Sequence, residues 1–363
     1  MTPTAARLTI DLDALATNYA VLRQEAGGVE AGAVVKANGY GLGAGLVAGR
    51  LWQEGARQFF VARLSEGLAL HQALGPDRPA IIYVLDGFLE GVGPDLRQAD
   101  LTPVLSSVEQ VQRALDWASS HTLRPAVALQ VDTGMNRQGV TAEAFAGLGR
   151  DGVIWAALDL KLVMSHLGSA TRPKVPRSRQ QLERFRPLRA MFPGVPASFA
   201  ASAGIFLGKD YHFDLVRPGI SLFGGGPEEQ PDPRLRAVAK LEAPICYVRQ
   251  VAAGETVGYG ETTIVSKPTR LAVVAAGYAD GYLRMAKGRS MAWFKGALRP
   301  VVSVTMDLTS IDIGEIEAHP GEWVELMGPN AHIDDLASAA ETVAHECLVR
   351  LSARAQRVVV GGI

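Results

Sequence analysis

Apolar runs in this chain repeatedly end on a side chain that can do chemistry. Lys36 closes "AVVK", Asp86 follows "IIYVL", Asp132 and then Arg137 follow "VALQV", His166 follows "LVMS", Ser202 follows "SFAA", and Arg217 closes "LVR". Singly, each is ordinary: a strand-end Lys or Arg is usually a solvated charge, and a lone His usually a satisfied structural residue. Jointly they offer an amine that can attack a carbonyl, an imidazole that can move protons, two fixed cations and a hydroxyl. The loops "AASAG", with Ser202, Ala203 and Gly204, and "RPGIS", with Gly219, Ile220 and Ser221, add small residues whose N–H groups can approach an anion closely.

The elements that must position these groups follow a beat. As far as about Gln230, β-rich runs alternate with amphipathic Ala/Leu/Arg-rich stretches of helical period. The runs are "AGAVVKAN", "QFFVARL", "AIIYVLDG", "LTPVLSS", "VALQVDTG", "LKLVMSHLG", "ASFAASAG" and "LVRPGISLFG". Eight strands alternating with helices predict a (β/α)8 barrel of the TIM type, with functional groups at the C-terminal strand ends and phosphate at the loops after strands seven and eight. A doubly wound open sheet is the rival, disfavoured because no GxGxxG follows the first strand. The segment "GGGPEEQPDP" reads as a linker. Beyond it the chain is mainly β, with one helix over "HIDDLASAAETVAHECLVRLSA", where Asp334 or Asp335 could cap the N-terminus. The expected division is a barrel over 1–230, a mainly β domain over 231–363, and about ten leading residues available to pair with the second domain.

Composition narrows the partners. The chain is 48% hydrophobic and 20% charged, with a net charge of −1, so no whole-protein field draws it to nucleic acid or an anionic membrane. A small-molecule partner is expected. Cys246 and Cys347 form no CxxC and read as packed free thiols rather than a disulfide scaffold. The N-terminal stretch has no signal-like apolar region and no segment is long enough to span a bilayer, so the cytoplasm is the expected compartment.

A lysine facing a phosphate site across a barrel mouth suggests pyridoxal 5'-phosphate held as a Schiff base. Arg217 would lie near the pyridine ring. A guanidinium has only donors and does not deprotonate, so a ring nitrogen bonded to it stays an unprotonated acceptor and a weaker electron sink. Such a site suits brief deprotonation at an α-carbon and discourages transamination. His166 would lie over the ring or join the hydrogen-bond chain.

The stretches "AVVKANGYGLG", "VDTGMNRQGV", "MSHLGSA", "VRPGISLFGG", "VGYGETT", "AAGYADGYLR" and "VTMDLTSIDI" occur in order across both halves. Through them the chain resembles the alanine racemases, the fold-type III pyridoxal phosphate enzymes, over essentially its full length. The resemblance implies racemisation of L- and D-alanine for peptidoglycan precursors by two bases on opposite faces of the reacting carbon. Lys36 matches the Schiff-base lysine and one base; Tyr259 matches the opposite base, contributed by the other subunit of a homodimer. Tyr40, Ser202, Gly219 and Ile220 match the phosphate contacts, Arg217 the arginine on the pyridine nitrogen, and His166 the ring-packing histidine. Arg137, Met306 and Asp307 match the groups around the substrate carboxylate, and Tyr278 a tyrosine of the substrate entrance. No metal is implied. Serine or a broader substrate set is the near alternative. A non-catalytic cofactor carrier or a basic amino-acid decarboxylase fits less well, given the "VGYGETT", "GYADGY" and "VTMDLTSID" motifs.

Two departures from the family pattern stand out. Gln130 occupies the place of a lysine that is carbamylated in many members, so Arg137 must be oriented by Gln130 itself or by a bound anion, and activity is expected to be independent of carbon dioxide. At the C-terminus Val359 stands where a phosphate-contacting tyrosine is expected. The loop "TRPKVPRSRQQ" is also more basic than usual and has no functional account.

Overall fold

The computed structural model describes residues 5–147, 153–261 and 263–362. The chain forms two compact units: Tyr19–Leu222, and Met1–Asn18 together with Phe223–Ile363. The first strand, β1 (Arg7–Asp11), belongs to the latter.

Tyr19–Leu222 is a parallel barrel. Its strands are β2 (Glu30–Ala31), β3 (Ala33–Val34), β4 (Gln58–Val61), β5 (Ile81–Val84), β6 (Leu101–Leu105), β7 (Ala126–Gln130), β8 (Asp159–Met164), β9 (Ala197–Ala201) and β10 (Leu215–Arg217). Neighbours pair in chain order, β2 pairs with β10, and β3 pairs with β4. β2 and β3 are two halves of one strand broken at Gly32, so the nine segments make the eight staves read from the sequence. Aromatic and β-branched residues in "QFFV" and "IIYV" favour extended backbone. Apart from Ile81 at the strand start, they are buried because helices cover the outer face and side chains fill the inside. Phe60, Tyr83, Val104, Ala128, Leu162, Met164 and Leu215 pack together there, with the Phe60 and Tyr83 rings stacked at 4.5 Å. The helices obey local signals: Ser107 Oγ caps Val108–His121 by accepting the Gln110 N–H, and Val111, Ala114 and Ala118 form its buried stripe.

The other unit is mainly β. Its remaining strands are β11 (Ala239–Val251), β12 (Thr269–Val274), β13 (Met291–Phe294), β14 (Ala297–Val304), β15 (Thr309–Gly314), β16 (Trp323–Met327) and β17 (Gln356–Val360). The sheet order is β12-β15-β14-β13-β16-β11-β1-β17, and an extra β11–β12 pairing closes the first six into a ring. β1 lies between β11, antiparallel, and β17, parallel.

Two local expectations are corrected. "GGGPEEQPDP" is not a free connector, because it is bonded into the β unit: the Gly226 N–H donates to the Asp334 carboxylate at 2.9 Å. Nearby, the Asn18 amide clasps both backbone groups of Arg236, at 2.7 and 2.8 Å. By its contacts this segment, from Phe223 onward, groups with the β unit. Second, the single helix expected after His332 is two, Ile333–Ala339 and Ala344–Val349, separated by Glu341 at φ +55°. His332 is the N-cap residue, and Asp334 turns inward to Gly226 instead of capping. Both cysteines are free. Among the described residues no helix is long and apolar enough to cross a membrane.

Candidate active site

Lys36 leaves the barrel at the end of β3 and enters an unusual turn. Ala37, Asn38, Gly39 and Tyr40 all have positive φ, from 52° to 63°. For non-glycine residues this left-handed backbone costs about 1–2 kcal/mol each, so other contacts must hold it. The Glu66 carboxylate supplies them, accepting the N–H of Ala37 at 2.7 Å with one oxygen and those of Ala62 and Arg63, at 2.7 and 3.2 Å, with the other. Asn38 Oδ1 accepts the Ala44 N–H at 2.9 Å and closes the far side. The turn leaves Lys36 half-buried and sends the Tyr40 ring inward. Burial, and then the Arg137 cation, hold the Lys36 amine below the usual lysine range, with Glu66 opposing them. Among the described residues the Lys36 amine has no hydrogen-bond or ion-pair partner.

Small residues shape the next part of the rim. Ser202 Oγ accepts the N–H groups of Gly219 at 2.8 Å and Ser221 at 3.2 Å, which leaves its own O–H to donate elsewhere. A Cβ on Gly219 would stand 2.5 Å from the Tyr40 hydroxyl. Only glycine lets that phenol and the "RPGIS" backbone share the space. Burial raises the Tyr40 phenol above its ordinary range, so it stays a protonated donor. Ile220 opens the short 3-10 turn that follows.

Arg217 ends β10 and is buried, with only 3% of its surface exposed. It donates to Ser198 Oγ and to the Ser165 carbonyl at 2.7 Å, and its Nη2 lies 3.5 Å from His166 Nδ1. Among the described residues no carboxylate pairs with it. Burial lowers its pKa to about 10, which leaves it a cation at neutral pH. A buried cation without a counter-charge is expensive, and groups of that kind concentrate where a ligand supplies the missing acceptor. Gln181 fixes the adjacent backbone. Its amide donates to the His166 carbonyl at 2.9 Å and to Thr133 Oγ1 at 3.2 Å, and accepts the Gly168 N–H at 2.8 Å.

Arg137 stands on the loop after β7. Asp132 shapes that loop by accepting the N–H groups of Gly134, Met135 and Asn136. The Gln130 amide donates to the Gln138 carbonyl at 3.2 Å, so it holds the main chain beside Arg137 rather than the guanidinium. Asp86 serves a structural ion pair with Arg63 at 2.9 Å. Lys36, Tyr40, Arg137, His166, Ser202, Arg217, Gly219 and Ile220 thus all lie in the barrel unit.

Tyr259, Tyr278, Met306 and Asp307 lie in the β unit, around a cleft of about 700 Å³ that Arg284, Lys287 and Ser303 also line. Tyr259 stands at the tip of the connection between β11 and β12, whose arms are tied by Gly254–Val265 and Val257–Thr263 bonds. It is 81% exposed, and Ile264, Met285 and Met306 are also more than half exposed. Thr262 of the "VGYGETT" motif lies outside the described residues. Val359 is a partly exposed member of β17.

A (β/α)8 barrel with a half-buried strand-end lysine and an uncompensated buried arginine, joined to a closed β unit, has the construction of an enzyme with its chemistry at the strand C-termini. Residues 10–227 match the family model for the alanine racemase N-terminal domain, and residues 238–359 the model for its C-terminal domain. The chain belongs to the alanine racemase family. It is 42% identical over 362 residues to a catabolic alanine racemase of Mesorhizobium japonicum, covering 98% of this chain and 93% of the relative. It is 41% identical over 366 residues to a biosynthetic one of Agrobacterium fabrum, covering 97% and 93%. The crystal structure of alanine racemase from Bartonella henselae with covalently bound pyridoxal phosphate superposes with a TM-score of 0.91 at 35% identity, covering 99% of this chain and 100% of that one.

Proposed function

We propose that this chain is a pyridoxal 5'-phosphate-dependent racemase that interconverts L- and D-alanine as a homodimer with shared sites. The observation that carries this reading is Arg217, a buried cation with no carboxylate partner among the described residues, on the same barrel rim as a lysine of lowered pKa. The residues present suit the cofactor. Lys36 offers the amine for its aldehyde carbon. The hydroxyls of Ser202 and Tyr40, with the glycine-lined "RPGIS" backbone at Gly219 and Ile220, suit its phosphate. Arg217, a donor only, suits a pyridine nitrogen that remains an acceptor. His166 packs beside that arginine.

Bound there, the cofactor supplies an electron sink that acidifies the α-carbon of an attached amino acid. The chain's own groups then do the proton work. Lys36, whose amine ionises less readily than an ordinary lysine, takes or returns the proton on one face. Tyr259 from a second copy acts on the opposite face; its exposure on a single chain, with that of Ile264, Met285 and Met306, supports a partner covering this surface. The Arg284 and Lys287 cations line the same cleft as Tyr259. Arg137, with the main chain at Met306 and Asp307, receives the substrate carboxylate, and Tyr278 lines its approach. D-Alanine made in the cytoplasm for peptidoglycan is the role that goes with this chemistry.

The test is an absorbance scan of purified protein, followed by addition of D-alanine and chiral analysis of the product. Visible absorbance that disappears in Lys36→Ala, together with formation of L-alanine, is the expected result. A colourless, cofactor-free protein that leaves D-alanine unchanged after pyridoxal 5'-phosphate is supplied overturns the reading.

A further inference from the structure

Arg354 lies between β17 and the last helix and lines none of the cleft, yet it ties two cleft-forming segments together. Its Nε and Nη2 donate to the two carboxylate oxygens of Asp280, each at 2.8 Å, and its Nη1 donates to Asp307. Asp280 is buried and accepts the Gly277 N–H at 2.9 Å, which fixes the turn Tyr278–Asp280. That turn is already stitched to the other segment: Tyr278 N–H donates to the Thr305 carbonyl and Ala279 N–H to the Met306 carbonyl, each at 3.0 Å. A Cβ on Gly277 would overlap both carbonyl oxygens. The main chains are thus set without Arg354. What Arg354 adds is control of the Asp307 side chain, which is 60% exposed and otherwise free to swing.

An ion pair this open to water adds little to stability. Its consequence is electrostatic and local, since an unpaired Asp307 carboxylate would repel an anionic ligand beside Met306. We propose that Arg354 is a positioning residue of the substrate site: it pins Asp307 to the Tyr278 turn and cancels its charge, so that the neighbouring cleft admits a carboxylate. This inference rests on the racemase reading for the identity of that carboxylate. An arginine suits the task because its planar fork spans two acids at once, whereas a lysine presents a single point charge.

The test compares holoenzyme with R354M, R354K and the double variant R354M/D307N, measuring kcat and KM for both alanine enantiomers, the cofactor's visible spectrum and the thermal midpoint. In R354M, KM rises about tenfold or more for L- and D-alanine alike while kcat changes little, because a carboxylate contact is common to ground and transition states. The visible spectrum stays unchanged, R354K falls between, added salt lowers the R354M KM, and D307N in the double variant recovers most of the loss. An unchanged KM in R354M, a loss confined to kcat, or no recovery on adding D307N overturns the proposal. Acetate affinity, measured by calorimetry, separates the two readings. If the parent does not racemise alanine yet R354M binds acetate about tenfold more weakly, the function is wrong and the clamp stands; if acetate binds both equally, the clamp is wrong.

Discussion

The Glu66 carboxylate accepts the amide hydrogen of Ala37 at 2.7 Å, one residue beyond Lys36, while its second oxygen holds Ala62 and Arg63. One acid therefore ties the left-handed turn carrying the lysine to the end of the neighbouring strand. Glu66→Ala orphans these N–H groups and releases the strain of the turn. It is expected to lower stability by about 2 kcal/mol and to weaken cofactor retention. Glu66→Gln, which keeps one acceptor, should lose less. Urea titration and dialysis followed by absorbance measure both effects.

Tyr259→Phe should lower kcat/KM by about 10²–10⁴-fold in both directions, because the equilibrium constant ties the two together. The directional signature is isotopic. With the opposite-face base gone, abstraction from L-alanine becomes the slow step, and α-deuterated L-alanine should show a larger primary isotope effect than α-deuterated D-alanine. Equal effects from both enantiomers would remove Tyr259 from that role.

Arg217→Glu replaces a permanent donor with a group that shares a proton with a ring nitrogen. The expected outcome is slower racemisation together with pyruvate released in proportion to enzyme, the mark of side transamination. Coupled oxidation of NADH by lactate dehydrogenase reads the pyruvate directly. Without pyruvate, the donor-only argument for Arg217 fails.

Much of this was legible in the primary structure and part was not, for identifiable reasons. The eight staves and the rim residues show because apolar runs and their terminal polar groups are local patterns. Glu66, Gln181 and Arg354 did not show. Glu66 sits in "RLSEGLAL" as an ordinary first-turn acid, Gln181 in "RSRQQLERF" as part of a polar helix face, and Arg354 in "LSARAQR" as a solvated charge. Their partners lie 29, 48 and 74 positions away, and no spacing rule links them. Asp334 does not cap the helix after His332 for a related reason: its inward turn answers to Gly226, 108 residues earlier.

That same Asp334 gives a pH prediction. Burial, with Asp335 and Glu229 assisting and the Gly226 N–H and His332 opposing, pushes its carboxyl up to about 6. The folded form holds this proton more tightly than the unfolded chain does. Its contribution to stability is therefore fully present below about pH 4, declines as pH rises through 6, and is absent above. Asp334→Asn retains an acceptor for Gly226 and does not ionise. It should be about 1 kcal/mol more stable than the parent at pH 8 and show no such advantage at pH 4, as read from urea midpoints.

The position of β1, flanked by β11 and β17, has a consequence for biosynthesis. The strand leaves the ribosome ahead of both flanking strands, since β1 spans Arg7–Asp11 whereas β11 begins at Ala239 and β17 at Gln356. The nascent chain must carry β1 unpaired while the barrel assembles, and completion of the β unit waits on pairing between strands far apart in sequence. Separate expression of the two halves cut near residue 231 would strand β1 on the wrong fragment. A circular permutant that begins near Tyr19 would instead keep all eight strands of that sheet contiguous.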